Sequence, residues 1–455
     1  MVEIEHIGNL DTWPVEFGRD GNILHETQVQ ALVNASANAT DLLVISHGWN
    51  NDEDEANALY RELLYNLSNL MFTAAADGNR RLIVLRVYWP SKRFAESGLI
   101  ASGAAAGADI GRLIAAQIEE LLKDFKCVEA GHPDAIKRSA LEGLKSLLPR
   151  LEDDDGAQED FVRLIRLLLT PTVNDEEDVL QDSFLSSDGG EIMKKLSRPF
   201  RPRVAPTSGA TSVGNVDIGD WSDAGGAAGL GNFFRGVFNG AQNLLNLFTY
   251  YEMKERASNV GRNGVIEVLS LVEARNPALR VHLCGHSFGG RLVAAVLAFR
   301  PQPTAPEQGI RSVTLLQAAF SHNGFGQKYD GTHDGLFRVG FDGQRLNGPI
   351  VLTYTEKDKT VGLAYPIASR LRQQTSSGLG DANDPYGAIG RNGALFATAD
   401  VDLAATKLLP VGITYPRFQS RRIYNLYGGP YITDHSAIRG LEVAQALKQA
   451  LDASL

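Results

Sequence analysis

Val281-His282-Leu283-Cys284-Gly285-His286-Ser287-Phe288-Gly289-Gly290-Arg291-Leu292-Val293-Ala294-Ala295-Val296-Leu297 decides the fold. An apolar run of strand length enters a Gly-His-Ser-Phe-Gly-Gly turn, and an Ala/Leu/Val run of helical character leaves it. Strand, sharp turn and helix place Ser287 at the C-terminal edge of a sheet with its hydroxyl exposed. The flanking glycines allow a turn that a Cβ would block. Gly-x-Ser-x-Gly is a weak pattern where Gly is abundant; its single occurrence, between a strand-like and a helix-like run, makes it informative.

Upstream, Leu42-Leu43-Val44-Ile45-Ser46 is another apolar run, followed by the turn-like His47-Gly48-Trp49-Asn50-Asn51. Asp52 or Asp54 can cap a helix whose Ala56, Leu59, Tyr60, Leu63, Leu64 and Leu67 recur at helical spacing. Residues 82–89 read as a buried strand stopped by Pro90. A helix through Met253, Val260, Val265, Ile266, Leu269 and Leu271 leads to the strand at Val281. Strand-like runs follow at 312–320 and 350–355, then a helix at 365–371, a strand at 422–426 and a C-terminal helix at 437–451. This alternation predicts an α/β fold with a mostly parallel sheet flanked by helices.

The rhythm breaks between Trp89 and Tyr250. Helical patterns occur at 104–125, 133–148 and 161–169, with a Pro/Ser/Gly-rich connector at 199–231 and no convincing strand. Residues 91–249 therefore read as a large helical cap insertion on the sheet's C-terminal edge, with 1–90 and 250–455 as the core. Glu152-Asp153-Asp154-Asp155 and Asp175-Glu176-Glu177-Asp178 read as solvated loops, since their spacing fits no calcium loop, and so does the turn-rich 378–387. Within 229–251, Phe233, Phe234, Val237, Phe238, Leu244, Leu245, Leu247, Phe248 and Tyr251 make a wide apolar face. Core packing is the commonest reason for such a stripe. The sharper reading is a substrate-pocket wall carrying Phe234 and Phe238. A membrane-surface helix is not favoured, because the polar face has few cations.

The chain has 455 residues and a net charge of −10, and no basic stripe offsets that charge, which excludes a nucleic-acid partner. Cys127 and Cys284 lie far apart, and a reduced, buried thiol is the reading for Cys284. Met1-Val2-Glu3-Ile4-Glu5-His6 shows no signal-peptide pattern and no apolar run reaches about 18 residues, so a cytoplasmic soluble protein is expected.

A serine hydroxyl is a poor nucleophile until a base takes its proton. Of the nine histidines, His435 is the strongest candidate: it follows the last strand and opens the C-terminal helix, and His322 is the reserve. The imidazole needs a carboxylate. Asp358 follows the strand at 350–355, with Glu356 the near alternative and Asp434 a weaker one. Ser287, Asp358 and His435 then fall in the order expected of strand-turn-helix hydrolases. The oxyanion formed on attack needs two backbone N–H groups, expected from Phe288 and Trp49. His47 and Gly48 are placed at the substrate site by their turn, with the His47 side chain bracing that loop.

His47-Gly48-Trp49, Gly285-His286-Ser287-Phe288-Gly289, Asp358 and Asp434-His435 together resemble the α/β-hydrolase superfamily. His-Gly-Trp-Asn-Asn before an acidic helix start, with Gly-His-Ser-Phe-Gly-Gly, is similar to a bacterial branch of hydrolases of unknown function. The resemblance covers about residues 40–90 and 250–455, and the cap follows an earlier strand than in the commoner pattern. It implies the α/β-hydrolase fold and a serine hydrolase that cleaves a small-molecule carboxylic ester through an acyl-enzyme, with no cofactor. Amide or thioester cleavage uses the same parts. The rival expectations are a non-catalytic hydrolase-fold binding protein and an interfacial phospholipase. The acyl group and the oligomeric state have no signature in the sequence.

Overall fold

The computed structural model describes residues 4–49, 52–72, 80–91, 107–125, 133–169, 188–197, 227–305, 308–358 and 387–453. The strands β1 (Glu5–Ile7), β2 (Leu10–Glu16), β3 (Asp41–Ser46), β4 (Leu82–Tyr88), β5 (Arg280–His286), β6 (Ser312–Leu316), β7 (Ile350–Tyr354) and β8 (Ile423–Tyr427) form one sheet. Their order is β1-β2-β4-β3-β5-β6-β7-β8. Only β1 runs antiparallel to its neighbour; the other pairings are parallel. β3 and β6 are buried along their whole length, as unbroken apolar runs require when helices cover both faces. β1 and β2 escaped the sequence reading because β1 is one short run and Pro14 interrupts β2.

Among the described residues the α-helices longer than four residues are α1 (Glu26–Ser36), α2 (Glu53–Phe72), α3 (Gly107–Leu122), α4 (Pro133–Leu147), α5 (Asp155–Leu169), α6 (Gly189–Ser197), α7 (Ala227–Asn259), α8 (Ile266–Arg275), α9 (Phe288–Phe299) and α10 (Leu441–Asp452). The two-residue period of β3 sorts its side chains into separate cores. Leu42 and Val44 pack with α1, α8 and α9, whereas Leu43 and Ile45 pack with α2 and α10. A capping box starts α2: the Glu55 amide donates to Asp52 Oδ1 and the Asp52 amide to Glu55 Oε2.

The inserted helices make a third core, which runs from Ile110 to Phe248, and the central core resumes at Tyr250. One unbroken helix, α7, crosses that boundary. It continues through a π-helical turn (Val260–Val265) into α8, and this turn lies against α9. There a Cβ on Gly261 would sit 2.3 Å from the Leu292 carbonyl oxygen. The buried Arg256 guanidinium ties the cap to the core, donating to the Pro90 carbonyl at 2.8 Å and to Asp124 at 2.9 Å.

Several boundaries differ from expectation. The strand expected at 312–320 ends at Leu316 because Gln317 turns into the left-handed region at φ 45°. The acidic run 152–155 is a solvent-facing turn through Asp154, as expected, and only its last residue, Asp155, enters α5, with Asp154 Oδ1 accepting from the Gly156 and Ala157 amides. The helix expected at 365–371, all of the loop 378–387 but Gly387, and the acidic run 175–178 lie outside the described residues. Among the described residues no helix is long and apolar enough to cross a membrane.

At the N-terminal end of the strands, Asp41 is fully buried and receives Arg280 at 2.9 and 2.7 Å, Arg80 at 3.2 Å and His282 Nε2 at 3.1 Å. Arg80 also donates to Asp452 at the end of α10, so one carboxylate joins β3, β5 and the C-terminal helix. Burial pushes the Asp41 pKa up, but the bonds from His282 and Arg280 and the charge of Arg80 outweigh it and hold it well below the ordinary value. Asp41→Asn removes the charge that faces the buried Arg80, which keeps Asp452, and the part-exposed Arg280, and is expected to cost on the order of 3 kcal/mol. A urea midpoint equal to that of the parent protein would contradict this.

Candidate active site

β5 delivers the chain to Ser287, which stands at φ 54° and ψ −124° directly before α9. Such a turn brings backbones into contact: a Cβ on Gly285 would lie 2.2 Å from the Gly289 carbonyl oxygen, and one on Gly289 2.4 Å from those of Ser46 and His47. Glycine is required at both positions. The Ser287 backbone is fixed by its amide donating to the Leu316 carbonyl at 3.1 Å and by its carbonyl accepting from Gly290 at 2.9 Å and Ala319 at 3.0 Å. A left-handed serine held this firmly is strained by about 1–2 kcal/mol and cannot relax.

Asp358 lies just beyond β7 and is fully buried, and His435 lies in the loop after β8, ahead of α10. The three side chains form a chain of hydrogen bonds. Ser287 Oγ lies 2.8 Å from His435 Nε2, and His435 Nδ1 lies 2.8 Å from Asp358 Oδ2. A carboxylate only accepts, so Nδ1 carries the hydrogen and Nε2 is free to take the serine proton.

The other candidates point elsewhere. His322 turns Nδ1 toward the Asn392 amide at 3.0 Å. Glu356 accepts from the Tyr427 hydroxyl at 2.8 Å, and Asp434 from the Ser436 amide at 2.9 Å. The C-terminal helix starts at Leu441 and not at 437, so the loop before it carries His435 to the serine.

The His-Gly-Trp turn lies against the serine, where a Cβ on Gly48 would be 2.6 Å from Ser287 Cβ. The Trp49 ring packs 5.8 Å from that of Phe288, whose amide opens α9. Among the described residues neither the Trp49 nor the Phe288 amide N–H is bonded to another group.

His47 does not face a substrate. It is 2 % exposed, stacks on Trp89 at 5.6 Å, donates from Nδ1 to the Gly48 carbonyl at 2.9 Å and accepts the Trp89 amide at Nε2 at 3.4 Å. Burial lowers its pKa to about 4, which leaves it a neutral brace. Phe238 likewise is not presented to the serine: it is buried in the cap's own core, against Gly111. The side chain of Phe234 lies outside the described residues, as does Cys127. Cys284 is buried, and its thiol is pushed up to about 12.

Two contributors were not foreseen. His286 donates from Nε2 to the His435 carbonyl at 2.9 Å, and the two rings lie 4.8 Å apart. Burial, with His435 adding to it, lowers the His286 pKa to about 3, so it holds the loop without adding charge. Gln317 donates from Nε2 to Asp358 Oδ2 at 3.1 Å. A polar residue closing the apolar run of β6 was its only signal in the sequence.

Among the described residues, no cluster of three or more His, Cys, Asp or Glu is arranged to hold a metal. No family model, curated protein or solved structure matches this chain.

Proposed function

We propose that this chain is a serine hydrolase of the α/β-hydrolase fold that cleaves a carboxylic ester through an acyl-enzyme. The observation that carries the reading is His435, 2.8 Å from both Ser287 Oγ and Asp358 Oδ2, at the C-terminal edge of a mostly parallel sheet. Supporting it are the strained turn that fixes Ser287 and the Trp49 and Phe288 amides, which are bonded to no other group among the described residues.

His435 Nε2 takes the hydroxyl proton as Ser287 Oγ bonds to the ester carbonyl carbon. The carbonyl π electrons move to oxygen, where the Trp49 and Phe288 amides hold the charge. Collapse of this intermediate breaks the bond to the alcohol oxygen, which leaves with the proton from His435. Water repeats the sequence: it gives a proton to His435, attacks the acyl carbon and releases the acid and free Ser287. Asp358 keeps its negative charge throughout and stabilises the imidazolium.

A fluorophosphonate probe tests the reading. Ser287 Oγ would bond to phosphorus as fluoride leaves and His435 takes the proton, giving one adduct on a peptide containing Ser287. Ser287→Ala is expected to abolish it. Folded protein that forms no adduct would refute the hydrolase reading and favour a binding protein on the same fold.

A further inference from the structure

Resting on the hydrolase reading, we propose that Gln317 is a positioning residue that holds the Asp358 carboxylate and thereby sets the pH at which Ser287 becomes reactive. Gln317 stands where the chain leaves β6, fully buried and at φ 45°, a conformation unfavourable for any residue with a Cβ. Its Nε2 donates to Asp358 Oδ2 at 3.1 Å and to the Gly390 carbonyl at 2.8 Å. Both partners only accept, so the NH2 group must face them and the orientation of the amide is fixed. The cost appears at the other end, where Oε1 is buried without a hydrogen-bond partner among the described residues.

Two unfavourable features therefore meet at one residue. Glycine would relieve the first, and an apolar side chain the second. What glutamine alone supplies is a neutral donor on Oδ2, the oxygen that also receives His435 Nδ1–H at 2.8 Å. A second donor draws negative charge away from that oxygen, so the carboxylate pulls less strongly on the imidazolium. Without that donor the pull on the imidazolium grows, and labelling of Ser287 is expected to require a higher pH. The donor also prevents the carboxylate from rotating out of line with the imidazole.

Other ionisable groups surround the pair and already have partners. His286 is buried and neutral, and Arg391 donates to the Asp358 and Glu356 carbonyls. Lys357 donates to the Gly429 carbonyl, Glu356 accepts from Tyr427, Asp434 caps the Ser436 amide and Arg439 pairs with Glu62. Gln317 is the side chain among these that bonds to the acid oxygen itself.

The test is the rate of fluorophosphonate labelling of Ser287 between pH 5 and 10 for the parent protein, Gln317→Met and Gln317→Leu, with a thermal melt of each. Methionine keeps the shape and removes the orphaned oxygen, and the Gly390 carbonyl retains its bond from the Thr355 amide at 3.1 Å. Both variants are expected to lower the plateau rate about 10- to 100-fold and to move the acid limb up by about half a pH unit or more. A lower plateau with an unmoved limb would mean a merely structural role and overturn the proposal, as would superimposable profiles. If the parent protein is not labelled at any pH, the hydrolase reading itself fails.

Discussion

Asp358→Asn is expected to lower any turnover of p-nitrophenyl acetate by about 10,000-fold while the protein stays folded. Asp358 is fully buried and its Oδ2 takes both His435 Nδ1–H and the Gln317 amide. Asparagine fits the same space but carries no charge, and its NH2 can face the imidazole. It then favours the tautomer whose Nε2 carries the hydrogen, and that nitrogen can no longer accept the proton of Ser287. The imidazolium of the transition state also loses its counter-charge in a site with little water. Glu356 cannot substitute, because it is occupied by the Tyr427 hydroxyl. Activity within tenfold of the parent would remove Asp358 from the mechanism and reopen the choice of acid.

The second large effect is on stability and appears between pH 6.5 and 4. His47, His282 and His286 are all fully buried, and burial lowers the pKa of each: to about 4 for His47, to about 3 for His286 and below the ordinary value for His282. In the unfolded chain each takes a proton near pH 6.5, whereas in the fold each stays neutral to lower pH. Acid therefore favours the unfolded state, and stability falls as pH drops below about 6.5, by up to about 1.4 kcal/mol per pH unit for each histidine. By pH 4, His47 and His286 together remove roughly 6 kcal/mol, comparable to the whole stability of many domains. Asp41, whose pKa is also lowered, adds its loss only below the ordinary carboxylate range. Urea midpoints measured from pH 7.5 to 4.5 should fall steadily, and His286→Asn should make the slope shallower. A flat profile would mean that these rings are protonated inside the fold.

What the sequence revealed follows the range of the forces involved. Ser287 was legible because its turn is written in closely spaced glycines, two of which, Gly285 and Gly289, stand where backbones come together. Asp358 and His435 were legible from their place after strands, although His322, Glu356 and Asp434 had similar places. The choice among them rests on where loops carry side chains, which no local pattern encodes. Gln317 and His286 were missed because their roles lie in partners far along the chain. Residue type alone would also mislead: Ser312 Oγ lies 2.8 Å from His282 Nδ1, and His282 Nε2 lies 3.1 Å from Asp41, a second Ser, His and Asp set. All three are fully buried at the opposite edge of the sheet, where they join strands. The stripe containing Phe238 satisfied the periodicity of a pocket wall and of a cap core equally, and only packing against α3 separates the two.

The helix α7 gives the cap a mechanical property. Because it runs unbroken from the cap's core into the central core, the cap is a lever clamped in the body and not a flap on a hinge. Its clamped end carries Tyr250, whose ring lies 5.3 Å from Phe288 and 6.4 Å from Trp49, the two residues on either side of the serine turn. A tilt of the cap must either break helical hydrogen bonds near Thr249 or turn Tyr250 against both rings. A displacement of the inserted helices is thus transmitted to the rings of Trp49 and Phe288 beside Ser287.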